Sequence, residues 1–276
     1  MTLHADERPP AGALSRNHVK AVGTPGARPL VLLHGFGADQ DVWWGVVPAL
    51  DEHNVILLDL VGAGSADASR HDLTRYADLH GHAEDVADVL EELDLRDAVL
   101  VGHSVSAMIA VLTAELVSDR IGGLVLLGPS PRYIDDGAYV GGFSHEDIDD
   151  LLETMREDFL GWSSVMAPAI MGNADRPALG RELADSFSRT DPELARQFAA
   201  ATFRSDHRDR LGAVRAPTLV VQTSGDIISP EVVGRYVHEH IPGSAFLQLE
   251  ARGHCPHLSA PDATAAAILD FVGRLG

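Results

Sequence analysis

The sequence predicts an α/β fold with a mostly parallel, doubly wound sheet. Several short apolar runs are continuous instead of alternating, which is typical of strands buried on both faces. Amphipathic helical stretches such as residues 82–94 lie between these runs. Such an alternation of strands and helices favours parallel strands joined by right-handed crossovers. The predicted strands are residues 17–22, 30–33, 55–60, 98–101, 124–127, 218–221 and 245–249.

The alternation stops between about residues 129 and 205, where helical patterns follow one another without a strand. Apolar side chains from Ile148 to Phe159 recur at helical spacing behind Ser144, which is suited to be an N-cap. Asp191-Pro192 opens a later helix with proline at its first position. These features predict a helical cap over the carboxyl edge of the sheet.

The chain is therefore expected to have three parts. Residues 1–15 are expected to form a flexible tail, residues 16–129 and 205–276 the core with the sheet, and residues 130–204 the cap. The length of 276 residues suits one large domain with an insertion.

The composition is that of an ordinary globular chain, with 45% hydrophobic and 22% charged residues. Acidic residues number 41 and basic residues 21, so the formal net charge is −20. A chain this acidic repels phosphate backbones and anionic lipids. We therefore expect no nucleic-acid partner and no membrane partner.

The single cysteine, Cys255, excludes an intrachain disulfide. Residues 1–20 lack the apolar segment of a secretory signal. No apolar run approaches the roughly 18 residues that a membrane span needs. These observations favour a cytoplasmic location.

The sharpest motif is Gly102-His103-Ser104-Val105-Ser106, which directly follows one predicted strand and precedes a helix. A tight turn between a strand and a helix, flanked by small residues, exposes a serine as a nucleophile. Ser106 stands where the usual pattern has glycine. The alternative interpretation is that Ser104 only caps an ordinary turn.

A serine nucleophile needs a base and an acid that orients the base. In this architecture the chain order is serine, acid, histidine. Asp226 follows the strand 218–221, and His254 follows the last strand. The other position for an acid, after the strand 124–127, holds Gly128-Pro129-Ser130 and no carboxylate. We therefore predict a catalytic triad of Ser104, His254 and Asp226.

An oxyanion hole needs two backbone N–H groups that point at the developing charge. Val105, directly after the nucleophile, supplies one in this prediction. Phe36 supplies the other, from the turn His34-Gly35-Phe36-Gly37 after the strand 30–33. The alternative is a glycine turn without a function.

No cofactor is expected. The closest histidine clusters, His238-Glu239-His240 and His254-Cys255-Pro256-His257, lack three or four convincing metal ligands. Gly62-Ala63-Gly64 lacks the spacing of a dinucleotide-binding loop, and no P-loop occurs. Cys255 is expected to be a buried neighbour of His254 and not a redox thiol.

With these residues identified, the chain resembles the α/β-hydrolases. More narrowly it resembles the stress-response regulator RsbQ and the related karrikin and strigolactone receptors of plants. The resemblance runs from about residue 16 to the end and includes serine at the position of Ser106. The segments that carry it include HGFGADQDVW (34–43), DLVGAGSAD (59–67), GHSVSAMI (102–109), GPSPRYIDD (128–136), QTSGDIISP (222–230) and EARGHCPH (250–257).

The resemblance implies that residues 130–204 form a V-shaped lid of four helices over a closed, mostly apolar pocket. The substrate-binding residues implied for that pocket are Phe36, Val105, Phe143, Trp162, Met166 and Phe203, and His103 beside the nucleophile is a further candidate.

Two classes of function follow. The first is a serine esterase that hydrolyses a small hydrophobic ester or lactone through an acyl-enzyme. The second, implied by the resemblance to RsbQ, is a signalling protein that binds or slowly hydrolyses a small hydrophobic molecule. Such a protein activates a PAS-domain serine phosphatase in a stress-response pathway that regulates a sigma factor. Perhydrolases and C–C bond hydrolases use the same three residues, whereas dehalogenases and epoxide hydrolases have aspartate at the position of Ser104.

Overall fold

The structure, a computed structural model, describes residues 12–276. Seven strands form one sheet, and their bounds lie within a few residues of the predicted ones. They are β1 Lys20–Gly23, β2 Pro29–Leu33, β3 Asn54–Leu58, β4 Ala98–His103, β5 Ile121–Leu127, β6 Thr218–Ser224 and β7 Ala245–Arg252.

The strand order across the sheet is β1-β3-β2-β4-β5-β6-β7. β1 pairs antiparallel with β3, and every other neighbouring pair is parallel. The prediction of a mostly parallel sheet is therefore confirmed. Because parallel strands run the same way, β4, β6 and β7 end at the same edge of the sheet.

Ten helices accompany the sheet within residues 12–276. They are α1 Ala13–Arg16, α2 His80–Glu92, α3 Val105–Leu116, α4 His145–Glu157, α5 Phe159–Met171, α6 Pro177–Ser188, α7 Pro192–Phe203, α8 Glu231–His240, α9 Pro256–Ser259 and α10 Pro261–Gly273. In this part of the chain, no helix has the length and apolar character that crossing a bilayer would take.

Helices cover both faces of the sheet, as the continuous apolar runs predict. Val86 of α2, Met108 of α3 and Val237 of α8 share one buried apolar cluster with residues of β2 and β4. Ile268 of α10 and Trp43 belong to the cluster on the opposite face. The strands β2 and β4 are fully buried, so their ends are rigid supports for the loops that follow.

The four helices α4–α7, called here the cap helices, lie between β5 and β6 in the chain. The Ser144 side chain caps α4 by accepting from the Asp147 backbone N–H, and the Asp147 carboxylate accepts from the Ser144 backbone N–H. Asp191 caps α7, which has Pro192 at its start. The two predicted helix starts are therefore confirmed. The V-shaped arrangement of these helices as a lid stays a prediction.

The structure describes only the last residues of the predicted tail, and these are packed against the core. Residues 1–11 of that prediction lie outside the described residues. Ala13 is buried in α1, and its backbone N–H donates to Glu92 at 2.6 Å. Arg16 pairs with Asp85 and Asp88 of α2 at 3.0 and 2.7 Å. The prediction of a flexible tail is therefore wrong for residues 13–15, because these contacts fix α1 on α2.

Candidate active site

The turn at Ser104 has the strained geometry that exposes a nucleophile. Ser104 joins the end of β4 to the start of α3 with φ 58° and ψ −124°. A side chain with a Cβ is disfavoured at positive φ, so the packing around the turn must hold this conformation. Gly102 provides the space, because a Cβ there would lie 2.2 Å from the Ser106 carbonyl oxygen. The sharp turn predicted from the motif is present.

Ser106 has a defined contact in the place where glycine is usual. Its side chain is buried, and its Oγ donates to the His34 carbonyl oxygen at 2.5 Å. This hydrogen bond joins the first turn of α3 to the turn after β2. The hydroxyl therefore ties together the two segments that carry Val105 and Phe36.

The three predicted triad side chains form one continuous hydrogen-bonded chain. Ser104 Oγ lies 2.7 Å from His254 Nε2, and His254 Nδ1 lies 2.7 Å from Asp226 Oδ2. All three side chains are buried. A carboxylate accepts hydrogen bonds, so His254 carries its proton on Nδ1. Nε2 is then free to accept the proton of the Ser104 hydroxyl.

The second oxygen of the Asp226 carboxylate is also held. Asp226 Oδ1 accepts from the backbone N–H groups of Ile228 at 2.8 Å and Ser229 at 3.0 Å. Ser229 Oγ donates in turn to the Pro129 carbonyl oxygen at 2.7 Å. The alternative acid position lies beside this carboxylate: a Cβ on Gly128 would be 3.4 Å from Asp226 Oδ2. Asp226 is therefore held where it can orient His254, and its role as the acid stays a prediction.

The backbone of His254 is fixed on both sides. Its N–H donates to the Ile170 carbonyl oxygen at 2.9 Å, and its carbonyl oxygen lies 2.8 Å from His103 Nε2. Gly253 makes the first contact feasible, because a Cβ there would lie 1.9 Å from the Met171 carbonyl oxygen. The loop of His254 therefore rests directly on the end of α5.

The two expected oxyanion donors lie in the segments that border Ser104. Val105 is the first residue of α3, and the N–H groups of a first helical turn have no partner within the helix. The turn of Phe36 packs closely on Ser104, because a Cβ on Gly35 would lie 3.3 Å from Ser104 Cβ. The role of both N–H groups as oxyanion donors stays a prediction.

A narrow cavity of about 40 Å³ adjoins Ser104 and His254. On this measure roughly 10–15 Å³ holds one water molecule, so the space suits only a small ligand unless its walls move. Most of its lining is apolar and comes from the cap helices and the turn after β2. The predicted pocket residues that line it are Phe36, His103, Trp162, Met166 and Phe203.

Phe36 lies at the centre of an aromatic cluster in this wall. Its ring centroid is 6.3 Å from that of Trp162, 6.0 Å from Phe187, 5.8 Å from Phe198 and 6.1 Å from Phe203. The turn after β2 thus contributes both to the surroundings of Ser104 and to the wall of the cavity.

Two predicted pocket residues do not line the cavity. The Val105 side chain is buried in the apolar cluster that includes residues of β2, β4 and α3. Phe143 is half-buried, its backbone forms a bridge with Ile134, and its side chain packs against the cluster that contains Trp162 and Phe203. A substrate-binding role of these two side chains stays a prediction that the lining of the cavity does not support, and the backbone of Val105 lies directly after Ser104.

Sequence reasoning missed Tyr133, although its segment was noted. Its ring is buried in the wall with its centroid 5.0 Å from that of Phe203. Within residues 12–276 its hydroxyl meets no partner with full hydrogen-bond geometry, but it lies close enough to Ser104 for that side chain to influence its pKa. Burial raises the pKa of this hydroxyl, so it keeps its proton and can donate. Further lining residues that were missed are Leu151, Ile170, Leu183, Phe187, Thr202, Ile228, Cys255 and His257.

Cys255 is a buried neighbour of His254, as predicted. It lines the cavity, and burial raises the pKa of its thiol. The thiol is therefore protonated at neutral pH and a poor nucleophile. Among residues 12–276, no three His, Cys, Asp or Glu side chains converge in a way that could hold a metal ion.

Comparisons with known proteins agree with this architecture. Residues 28–208 match the alpha/beta hydrolase fold family. The chain is 37% identical over 258 residues to a probable esterase of Oryza sativa subsp. japonica, with 93% of this chain and 95% of the relative covered. It is also 37% identical over 259 residues to a strigolactone esterase of Arabidopsis thaliana, with the same coverage of both chains.

A karrikin insensitive 2 receptor of Petunia hybrida is 37% identical over 258 residues, which cover 93% of this chain and 95% of the receptor. Among solved structures, a hydrolase from Oleispira antarctica superposes with a TM-score of 0.91 at 36% identity, over 95% of this chain and 96% of that chain. The chain belongs to the α/β-hydrolase fold family, and its predicted relation to this group of plant proteins, here the karrikin insensitive 2 receptors and strigolactone esterases, is confirmed.

Proposed function

We propose that the protein is a carboxylic ester hydrolase that acts on a small hydrophobic ester or lactone. The observation that carries this proposal is the hydrogen-bonded chain from Ser104 through His254 to Asp226 beside a mostly apolar cavity. A serine with a base at 2.7 Å is an activated nucleophile. The esterase names of relatives at 37% identity support the same reaction class.

In the first half of the reaction, Ser104 Oγ attacks the carbonyl carbon of the substrate. Its proton passes to His254 Nε2, and Asp226 stabilises the imidazolium that forms. The carbonyl oxygen becomes an oxyanion, for which the N–H groups of Phe36 and Val105 are the proposed donors. The imidazolium then protonates the leaving alkoxide, and the carbon–oxygen bond to it breaks.

In the second half, a water molecule attacks the acyl group on Ser104. His254 takes one proton of this water and returns it to Ser104 Oγ when the acyl–oxygen bond breaks. The products are a carboxylic acid and the free enzyme. With a lactone, the alcohol and the acid stay joined in one hydroxy acid.

The wall of the cavity defines the class of substrate. Aromatic rings from Phe36, Trp162 and Phe203 surround the space, and no charged side chain lines it within the described residues. A compact apolar acyl or lactone ring can replace water there, whereas an ionised group would lose its hydration without compensation. Tyr133 supplies a polar group in this wall.

The first test measures intact mass after incubation with a small aliphatic sulfonyl fluoride, together with turnover of p-nitrophenyl esters of increasing acyl length. We expect one adduct, located on Ser104 and absent from Ser104→Ala. Turnover should be greatest for the shortest acyl groups because the cavity is narrow. An unlabelled wild-type protein without ester turnover would contradict the proposal.

A receptor role is the second candidate function, and relatives named karrikin insensitive 2 receptor, at 34–37% identity, favour it. In this role the ligand is a small hydrophobic molecule, and its hydrolysis is slow. The resemblance to RsbQ suggests a PAS-domain serine phosphatase in the cytoplasm as the partner. Stopped-flow kinetics with p-nitrophenyl acetate separates the two roles. A single burst followed by very slow turnover favours the receptor, and fast steady turnover favours the esterase.

A further inference from the structure

The elbow serine is preceded by a histidine whose ring is directed away from solvent. His103 is the last residue of β4, and its side chain is buried. Its Nε2 lies 2.8 Å from the carbonyl oxygen of His254. A carbonyl oxygen accepts hydrogen bonds, so Nε2 carries the ring proton. Nδ1 then carries none, and it has no hydrogen-bond partner within the described residues.

The surroundings hold this imidazole in one orientation. Its ring centroid lies 4.9 Å from that of His254 and 4.3 Å from that of His257. On another side the turn after β2 approaches closely, because a Cβ on Gly35 would lie 2.6 Å from His103 Nδ1. Burial, together with the neighbouring His257 and His254, lowers the pKa of His103 well below its usual value. The ring is therefore neutral at physiological pH.

The contact of His103 completes a support for the backbone of His254. The N–H of His254 is held by the Ile170 carbonyl oxygen of α5, and its carbonyl oxygen is held by His103. His103 and Ser104 are adjacent in the chain. A shift of the elbow is therefore transmitted to the loop of His254 through one hydrogen bond. The side chain of His254 leaves the main chain between these two supported groups.

We propose that His103 is a positioning residue whose Nε2–H holds the backbone of His254 at hydrogen-bond distance from Ser104. This deepens the proposed function and rests on it. The residue was expected to bind substrate. Its ring does border the cavity, but Nε2–H already donates to the carbonyl oxygen of His254.

The test compares variants with and without a donor at this position. His103→Gln places an amide N–H near the original Nε2, whereas His103→Leu and His103→Phe have no donor, and phenylalanine retains the ring volume. His82→Leu is the matched control. His82 is also buried, and its ring contacts are with Tyr76 and Phe198, away from the triad.

Three quantities are measured for each variant: kcat and KM for p-nitrophenyl acetate, and the downfield proton NMR signal of His254 Nδ1–H. A misplacement of about 1 Å costs on the order of 100-fold in rate. We expect kcat to fall roughly 10- to 100-fold in the variants without a donor, with little change in KM. Their His254 signal should broaden or shift. His103→Gln should recover most of kcat and a signal like that of the wild type, and His82→Leu should change neither.

The proposal is overturned if a folded donor-less variant keeps the wild-type kcat and the wild-type His254 signal. It is also overturned if His103→Gln is as impaired as His103→Phe, because the hydrogen bond would then be irrelevant. Failure of the proposed function looks different. The wild-type protein itself would then show neither a sulfonyl adduct nor turnover, while the NMR comparison would still test whether His103 positions His254.

Discussion

The sheet edge that carries Ser104, His254 and Asp226, called the catalytic edge because of the proposed function, and the wall of the cavity are built by different forces. Ser104, His254 and Asp226 are joined by directional hydrogen bonds of 2.7 Å. The wall from the cap helices consists of ring contacts, such as Trp162 to Phe187 with centroids 5.5 Å apart. Directional bonds fix atoms to a fraction of an ångström, whereas apolar packing tolerates changes that conserve volume.

This difference separates two kinds of effect. Changes at the catalytic edge should lower kcat for every substrate, because each bond there supports the transition state. Changes in the wall should alter the choice of substrate and leave the chemistry intact. A wall variant that lowers kcat for all esters equally would break this distinction.

The largest effect is expected from Asp226→Asn. The asparagine amide group can donate to His254 Nδ1 and so favour the wrong imidazole tautomer, which should reduce kcat on the order of 10⁴-fold. The measurement is kcat/KM for the best p-nitrophenyl ester, with melting temperature as a check of folding. Asp136→Asn is the control, because Asp136 is exposed and pairs with Arg208. Near-full activity of Asp226→Asn would contradict the assignment of Asp226 as the acid that orients His254.

Gly35→Ala should produce the second largest effect. The new methyl group would lie 2.6 Å from His103 Nδ1 and 3.3 Å from Ser104 Cβ, so the turn that carries Phe36 must move. Displacing one oxyanion donor typically costs about 10²–10³-fold in kcat. Gly212→Ala is the control, since a Cβ at Gly212 meets no atom within 4 Å. Equal kcat values for both variants would show that this turn does not contribute to catalysis.

The catalytic edge was predictable from the sequence because its signals are local. A buried strand that runs into Gly102-His103-Ser104 specifies the turn, and chain order identifies Asp226 and His254 as partners. The parallel order of β4, β6 and β7 brings the three together at one edge.

The wall was less predictable because it depends on the direction of side chains in irregular segments. Phe143 and Tyr133 lie ten residues apart in the connection between β5 and α4. The resemblance favoured Phe143, but the bridge between Ile134 and Phe143 fixes a backbone path in which Tyr133 reaches the cavity. This connection has no helical or strand-like spacing of apolar residues that would indicate which of the two rings faces the cavity.

Met166→Ala tests the wall with a smaller expected effect. Met166 lines the cavity, and its truncation adds space without removing a hydrogen bond. We expect the ratio of kcat/KM for hexanoyl over acetyl esters to rise roughly tenfold, the order that a few methylene contacts provide. Val165→Ala is the matched control, because Val165 is adjacent and 70% exposed. An unchanged ratio would mean that longer acyl groups do not enter this part of the cavity.

The last expected effect concerns stability in acid instead of turnover, and it extends the comparison to the core. Burial lowers the pKa of both His82 and His257 to about 3. Between pH 6.5 and 3 the unfolded chain therefore binds protons that the folded chain does not. The stabilisation is complete above about pH 6.5 and is lost as the pH falls, by up to about 1.4 kcal/mol per pH unit for each histidine.

Urea unfolding of the wild type and of His82→Leu at pH 7, 6 and 5 measures this contribution. The free energy of unfolding should fall less steeply with acid in the variant, by up to one proton, even if the variant is less stable at pH 7. His238→Leu is the control, because His238 is only half-buried and lies in α8, away from the cavity. Parallel slopes for the wild type and His82→Leu would mean that His82 titrates in the folded protein much as it does in the unfolded chain. Acid sensitivity would then come from other groups, among which the buried His34 and His257 also have lowered pKa values.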